Sequence, residues 1–247
     1  MTDFLEEIEE QLRSDRYRQM FRKGLPWAIG VAVAALVIAL GAWAYQSWRA
    51  REDAKASQAY SAALDTAQKG DLNKAFVEFG QAIDKPSKGY KALALMQQAN
   101  IRMQQNKTEE AVELLDKAAA QAPTPLIGDM ARLKSAFALM DTAPYAALQE
   151  RLTPLTDAKR PYAAAAREAL AMAKLKAGKI QEARADFQVL QLLPDATQGQ
   201  RQRAQGAILA IDSGAAAGLP QAVAQARDLP PLAPPPNPAL TQSGAAQ

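Results

Sequence analysis

Three stretches decide the fold: Gly70-DLNKAFVEFGQA-Ile83, Asn106-KTEEAVELLDKA-Ala119 and Gly178-KIQEARADFQVL-Gln191. Each opens on a residue that tolerates a left-handed backbone. Five positions later each carries an alanine (Ala75, Ala111, Ala183), and four beyond that a large apolar residue (Phe79, Leu115, Phe187). The starts fall on a grid of 36 residues, and Thr142 holds the remaining grid point, followed by Ala147 and then by Arg151 in the apolar position. Next come Ala82, Ala118, Pro154 and Leu190, and the four units close near Pro86, Pro123, Pro161 and Pro194. Self-similarity at such a period marks a repeat architecture. The physics is that of a helical hairpin: Gly or Asn ends the first helix, a small Ala lets the second helix approach closely, and the large residue one turn on fills the gap. Proline then stops the second helix. One hairpin cannot bury its apolar face alone, so the units stack with a continuous core.

Around these stretches the chain is rich in Ala, Leu, Lys, Gln and Glu, so its local bias is helical throughout. The expected fold is all-α: one transmembrane helix, then an α-solenoid of about four hairpins over residues 49–213, ending in a capping helix from Gln198 to Asp212. In the third unit Arg151 and Pro154 predict a shortened or kinked second helix. The three stretches resemble the turn and second helix of tetratricopeptide repeats. The likeness covers about two-thirds of the chain and lies in the second helices; the family's Trp, Leu-Gly and Tyr of the first helix are missing.

Residues 24–48 form 25 consecutive positions without a charge. At about 1.5 Å per residue, that length exceeds the roughly 30 Å of bilayer hydrocarbon. Pro26 is expected in the first turn of this helix, and Trp27, Trp43, Tyr45 and Trp48 place rings at both interfaces. Ala42-Trp43-Ala44 resembles a cleavage site, but the 23 residues ahead of the span carry six acids (Asp3, Glu6, Glu7, Glu9, Glu10, Asp15), unlike the short basic start of a signal peptide. The span therefore reads as an uncleaved anchor. Arg13, Arg16, Arg18, Arg22 and Lys23 precede it and Arg49, Arg51 and Lys55 follow it, which points the N-terminus into the cytoplasm. Residues 1–23 read as an amphipathic tail, with Asp3 as an N-cap and Phe4, Leu5, Ile8 and Leu12 on one side. That face either lies on the membrane surface or contacts a membrane complex.

Composition excludes much chemistry. With no Cys and no His there is no disulfide, thiolate, imidazole base or usual zinc site. No phosphate-cradling glycine motif is present. A net charge of +3, from 29 basic and 26 acidic residues, shows no clustered stripe for nucleic acid. No cofactor, metal or small-molecule substrate is expected. A carboxylate-only hydrolase would need a positioned acidic pair, and Glu6-Glu7, Glu9-Glu10 and Glu109-Glu110 read as solvated helix faces. From residue 214 to 247 composition shifts to Ala, Gly, Gln and Pro, ending in Leu229-PPLAPPPNPAL-Thr241. This segment is expected to be disordered with polyproline II character, either as a plain tail or as a ligand for a groove.

Stacked hairpins present a concave groove lined by first helices. In the tetratricopeptide register its candidate residues are Leu93, Met96, Asn100 and Met103 in the second unit, Arg132, Leu139 and Met140 in the third, and Glu168, Met172 and Leu175 in the fourth. Four of the seven methionines are among them; they suit recognition of varied apolar segments or else plug core gaps. The layout of acidic-then-basic tail, one span ending Trp43-Ala-Tyr-Gln-Ser-Trp48, then Ser57-Gln-Ala-Tyr60 and repeats resembles the YfgM-type ancillary subunits of the bacterial Sec translocon. That resemblance implies a non-enzymatic, single-pass inner-membrane protein with a periplasmic repeat domain. Its implied partners are Sec translocon subunits, periplasmic chaperones and unfolded export clients. The second reading is a scaffold of another envelope machine, such as cytochrome c maturation or pilus assembly.

Overall fold

The structure is a computed structural model that describes residues 3–218 and 221; for residues 3–26 and 28 it gives the backbone alone. Every regular element among the described residues is helical. The α-helices are α1 (Asp3–Gln68), α2 (Leu72–Ile83), α3 (Lys88–Gln104), α4 (Thr108–Gln121), α5 (Pro125–Ala138), α6 (Tyr145–Leu152), α7 (Ala163–Lys176), α8 (Ile180–Leu192) and α9 (Gln198–Asp212), with 3-10 turns at Thr153–Leu155 and Ala215–Gly218.

The chain divides into two compact units, residues 1–55 and 56–247. The first contains most of α1. Expected as two elements with Pro26 opening the second, this region is instead one helix that starts at Asp3 and runs through Pro26. Strong helix formers on both sides outweigh the loss of a single amide at the proline. The amphipathic face and cap expected for residues 1–23 concern side chains outside the described residues, as does nearly all of the segment beyond Gly218. Within α1, a helical stretch from Ile29 is long and apolar enough to cross a bilayer; its most apolar window has a mean hydropathy of 1.9 and none of it is buried. Trp27 is 80% exposed, and Trp43 and Trp48 are exposed as well.

In the second unit, the end of α1 and the helices α2 to α9 alternate as first and second members of hairpins. Four clusters of core residues follow one another along the chain. Ala63, Ala75, Phe79, Ala82, Ala94 and Ile101 form the first. Leu95, Met96, Ala99, Leu115 and Ala131 belong to the second, Leu133, Leu152, Leu155 and Ala169 to the third, and Leu175, Phe187, Leu190 and Ile211 to the fourth. Each cluster draws on consecutive helices, which is how a solenoid builds one core from small pieces. The turns explain the grid. Gly70, Asn106 and Gly178 take positive φ of 88°, 58° and 76°. At Asn106, Lys107 N–H donates to Arg102 O (2.9 Å) and Asn106 N–H to Met103 O (3.0 Å). The same pair recurs from Lys179 to Lys174 O and from Gly178 to Leu175 O. These are Schellman closures, which satisfy the last helix carbonyls and need a left-handed residue.

The third unit departs from its neighbours. Thr142 is not among the described residues of positive φ; it closes instead by donating its N–H to Leu139 O (3.1 Å). Helix α6 is only 8 residues long and passes into the 3-10 turn holding Pro154. Leu152 and Leu155, both fully buried, supply the bulk that a Phe supplies elsewhere. Arg151 turns away from that core and forks onto Asp116, with Nη1 and Nη2 at 2.7 and 2.9 Å from Oδ1 and Oδ2. Its Nη1 also donates to the buried Ser135 Oγ (2.9 Å). A paired, hydrogen-bonded guanidinium is tolerated where a bare one is not, and the carboxylate raises the Arg151 pKa above its ordinary value against the opposing effect of burial.

Candidate interaction face

Helices α3, α5, α7 and α9 are the first members of their hairpins, and α3 packs on α5 and α7 on α9. No second helix packs to that extent on the next second helix among the described residues. In a stack of hairpins, the layer whose members crowd together is the inner one. The inner layer is knit by polar side chains at one level. Gln97 Nε2 donates to Tyr60 Oη (3.1 Å), Asn100 Nδ2 to Gln97 Oε1 (3.0 Å) and Lys134 Nζ to Asn100 Oδ1 (3.3 Å). Farther along, Arg203 clasps Glu168 through Nε and Nη2, at 2.6 and 3.0 Å. That hydrogen bond, with the carboxylate charge, raises the pKa of the exposed Arg203.

Positions three and four residues apart share a helix face. One turn beyond Asn100, Lys134 and Glu168 stand Met103, Phe137 and Met172, which are 38%, 52% and 42% exposed. The inner layer therefore carries a row of open apolar side chains beside a row of mutually satisfied polar ones. Such a surface gains by covering its apolar row and has few unpaired charges to desolvate in doing so.

The structure distributes the ten predicted groove residues among four places. Asn100, Met103, Glu168 and Met172 lie on the inner layer, whereas Leu93 is half-buried and packs against the second core cluster. Met96 and Leu175 are 5% and 3% exposed and belong to the core, because each lies on the flank of its helix that meets the next hairpin. Leu139 and Met140 follow the end of α5 and pack against the third core cluster. Arg132 lies on the far side of α5. There it joins Asp116, Arg151, Ala120, Ala147 and Pro154 around a cleft of about 630 Å³ between α4 and α6. It also lies 3.5 Å from the buried Asp129 carboxylate, which Arg160 approaches to 3.4 Å from the other side. Lys134, Phe137 and Arg203 were not expected on the inner face. Phe137 was detectable as the one aromatic residue in α5.

No cluster of His, Cys, Asp or Glu able to hold a metal ion occurs among the described residues. The perturbed carboxylates are engaged structurally. Glu110 is held below its ordinary value by hydrogen bonding to Lys107, Glu182 by Lys179, and Asp212 by the Arg184 fork at 2.7 and 3.0 Å.

The family model for the tetratricopeptide repeat-like domain matches residues 19–207. The chain belongs to this family. The tetratricopeptide repeat-like match takes in the apolar stretch of α1 as well as the hairpins. Among solved structures, the chain is similar to a point variant of nearly identical TPR-like repeats, of a kinesin light chain type, from Podosopora anserina. The TM-score is 0.50 and the identity 19%, over 68% of this chain and 89% of that one. A second structure of those repeats gives 0.48 and 15%, over 70% and 97%. No curated protein matches the chain. A tetratricopeptide repeat-like domain is an interaction scaffold, and the fold accordingly makes this chain a protein-binding one.

Proposed function

We propose that this protein is a non-enzymatic membrane-anchored adaptor, ancillary to the bacterial Sec translocon. In this reading the N-terminus is cytoplasmic, residues 24–48 cross the inner membrane and the repeats stand in the periplasm. There the inner face receives newly exported, still unfolded chains or links them to periplasmic chaperones. The observation that carries the interaction role is the open row Met103, Phe137 and Met172 on the inner layer. Flexible thioethers flanking one aromatic ring adapt to varied apolar segments. Anchoring is supported by the wholly exposed apolar stretch of α1 and by a family match that begins ahead of it.

The test is in vivo photo-crosslinking from positions 137 and 172, with Gln181 as an exposed control on α8. Exported chains or chaperones captured from 137 and 172 but not from 181 are the expected result. Equal capture from all three refutes the groove. Docking through the span is tested by exchanging it for an unrelated one: translocon recovery should fall, and unchanged recovery refutes that part. Co-purification of haem-handling or pilin subunits in place of translocon subunits would move the protein to the scaffold reading.

A further inference from the structure

The third unit interrupts the stack on both of its layers. On the inner side α3 packs on α5 and α7 on α9, but α5 and α7 are not among the helix pairs that pack on one another. On the outer side the cleft of about 630 Å³ separates α4 from α6. Between these two gaps, α5 meets the 8-residue α6 far less extensively than α3 meets α4 or α7 meets α8. Helix α6 and the Thr153–Leu155 turn lean instead on α7. One seam thus runs through the repeats, with residues 56–138 on one side and 145–212 on the other.

The connection across the seam is residues 139–144. The turns at Asn106 and Gly178 are locked by a left-handed residue and a pair of Schellman bonds. Here Thr142 and Ala143 both donate to Leu139 O, at 3.1 and 2.9 Å, and neither is among the described residues of positive φ. Hinges are short connections of this kind, in which a few loop residues absorb the backbone change. Three ion pairs bridge the seam beside one small apolar cluster that joins Leu133 and Ala136 of α5 to Leu148, Leu152 and Leu155. Arg151 forks onto Asp116 of α4, and Arg160 Nη1 lies 3.4 Å from the buried Asp129 of α5. Lys176 of α7 pairs with Asp141 and donates to Met140 O (2.9 Å). In all three the cation comes from beyond the connection and the carboxylate from before or within it. Such pairs are weak where water reaches them: the side chains of Arg151 and Asp116 are 33% and 41% exposed, and an exposed pair shifts an equilibrium by at most about fivefold. Parting from Arg160 does not strand Asp129 either, because Arg132 of its own helix stays 3.5 Å away.

We infer that residues 139–144 are a hinge between two rigid halves of the repeat domain, latched by the Arg151–Asp116, Arg160–Asp129 and Lys176–Asp141 pairs. Phe137 belongs to one half and Met172 to the other, so the hinge sets the width of the inner face between them. This consequence rests on the reading of that face as a peptide groove and deepens it: the groove opens to the bulk of its client, and a bound client selects one width.

The chain has no cysteine, so spin labels attach only where one is introduced. Three pairs of exposed positions are labelled in the full-length protein in detergent micelles: K117C/Q188C across the seam, and Q81C/K117C and Q181C/Q202C within the halves. Double electron–electron resonance should give two distances for the pair across the seam and one for each control. In an Arg151→Gln/Arg160→Gln background the longer distance should gain about fivefold over the shorter, with the controls unmoved. If that double variant does not fold, 1 M salt on the unsubstituted latch takes its place, since screening then acts beyond about 3 Å. A single distance across the seam in every condition overturns the hinge. Two distances that neither the substitutions nor salt redistribute overturn the latch, and controls that split as well overturn the division into rigid halves. These distances are read without a ligand, so they test the hinge whatever the face binds. Reduced, carboxymethylated α-lactalbumin is then added as the unfolded probe, and collapse of the two distances into one supports both readings. Two distances that the probe leaves unchanged support the hinge and refute the face as a receiver of unfolded chains. A single distance throughout, with the probe labelled from a photo-crosslinker at Met172, refutes the hinge and leaves the groove reading intact.

Discussion

Truncating to alanine the residue at the same grid position in all four units should cost three of them heavily and the third little. Phe79, Leu115 and Phe187 are 1%, 3% and 1% exposed, whereas the Arg151 side chain is 33% exposed and rests on Asp116 outside the apolar core. A buried phenylalanine removes roughly 200 Å² from water, worth about 5 kcal/mol at about 25 cal/mol per Å². Measured Phe→Ala costs of about 3–5 kcal/mol agree, and Leu→Ala costs about 2–5 kcal/mol. Phe79 also meets the Tyr60 ring at a centroid distance of 5.5 Å, which places Phe79→Ala toward the upper end. Arg151→Ala removes a half-exposed ion pair, worth at most about 1 kcal/mol, and leaves Ser135 to keep its bond to Asp116 (2.9 Å). Urea unfolding of the full chain in micelles, followed by far-UV circular dichroism, reads all four. If Arg151→Ala is as damaging as Phe187→Ala, Arg151 is a core element and the replacement of its role by Leu152 and Leu155 is refuted.

The left-handed turns should resist side chains. Gly70→Ala and Gly178→Ala should each lower stability by about 1–2 kcal/mol, read by the same unfolding, while Thr142→Ala should lower it by less than about 0.5 kcal/mol. Phe137→Ser should reduce photo-crosslinking from position 172 severalfold while leaving the unfolding midpoint nearly unchanged, because the ring is half exposed; a lost midpoint would make Phe137 a core residue. The Arg184 hydrogen bond holds Asp212 below its ordinary value. The folded state thus binds that proton less readily than the unfolded one, and the clamp's contribution is present above the ordinary Asp value of 3.8 and lost as pH falls through the depressed one. Amide exchange in α9 should accelerate below about pH 4, and Asp212→Asn should remove that dependence; an unaltered profile would mean the clamp does not secure the capping helix.

The second helices were legible because their start signals are local chemistry: Gly70, Asn106 and Gly178 are left-handed wherever the helices go, and a Schellman closure needs no distant partner. The inner face was legible only in part, for a reason of helical phase. The second helices keep the 36-residue step from Ala111 to Ala147, but the first helices do not. The bond from Lys134 to Asn100 sets the step from α3 to α5 at 34 residues. Carrying a step of 36 from Met96 and Met103 therefore lands on Arg132 and Leu139, two residues late. Two residues turn a helix by about 200°, so Arg132 falls on the opposite side, in the cleft between α4 and α6. No pattern in the first helices could have corrected the drift: in α7, Ala163, Ala164, Ala166, Ala169, Ala171 and Ala173 are all buried. Alanine packs on every side of a crowded inner helix, which erases the contrast between faces that a periodicity needs.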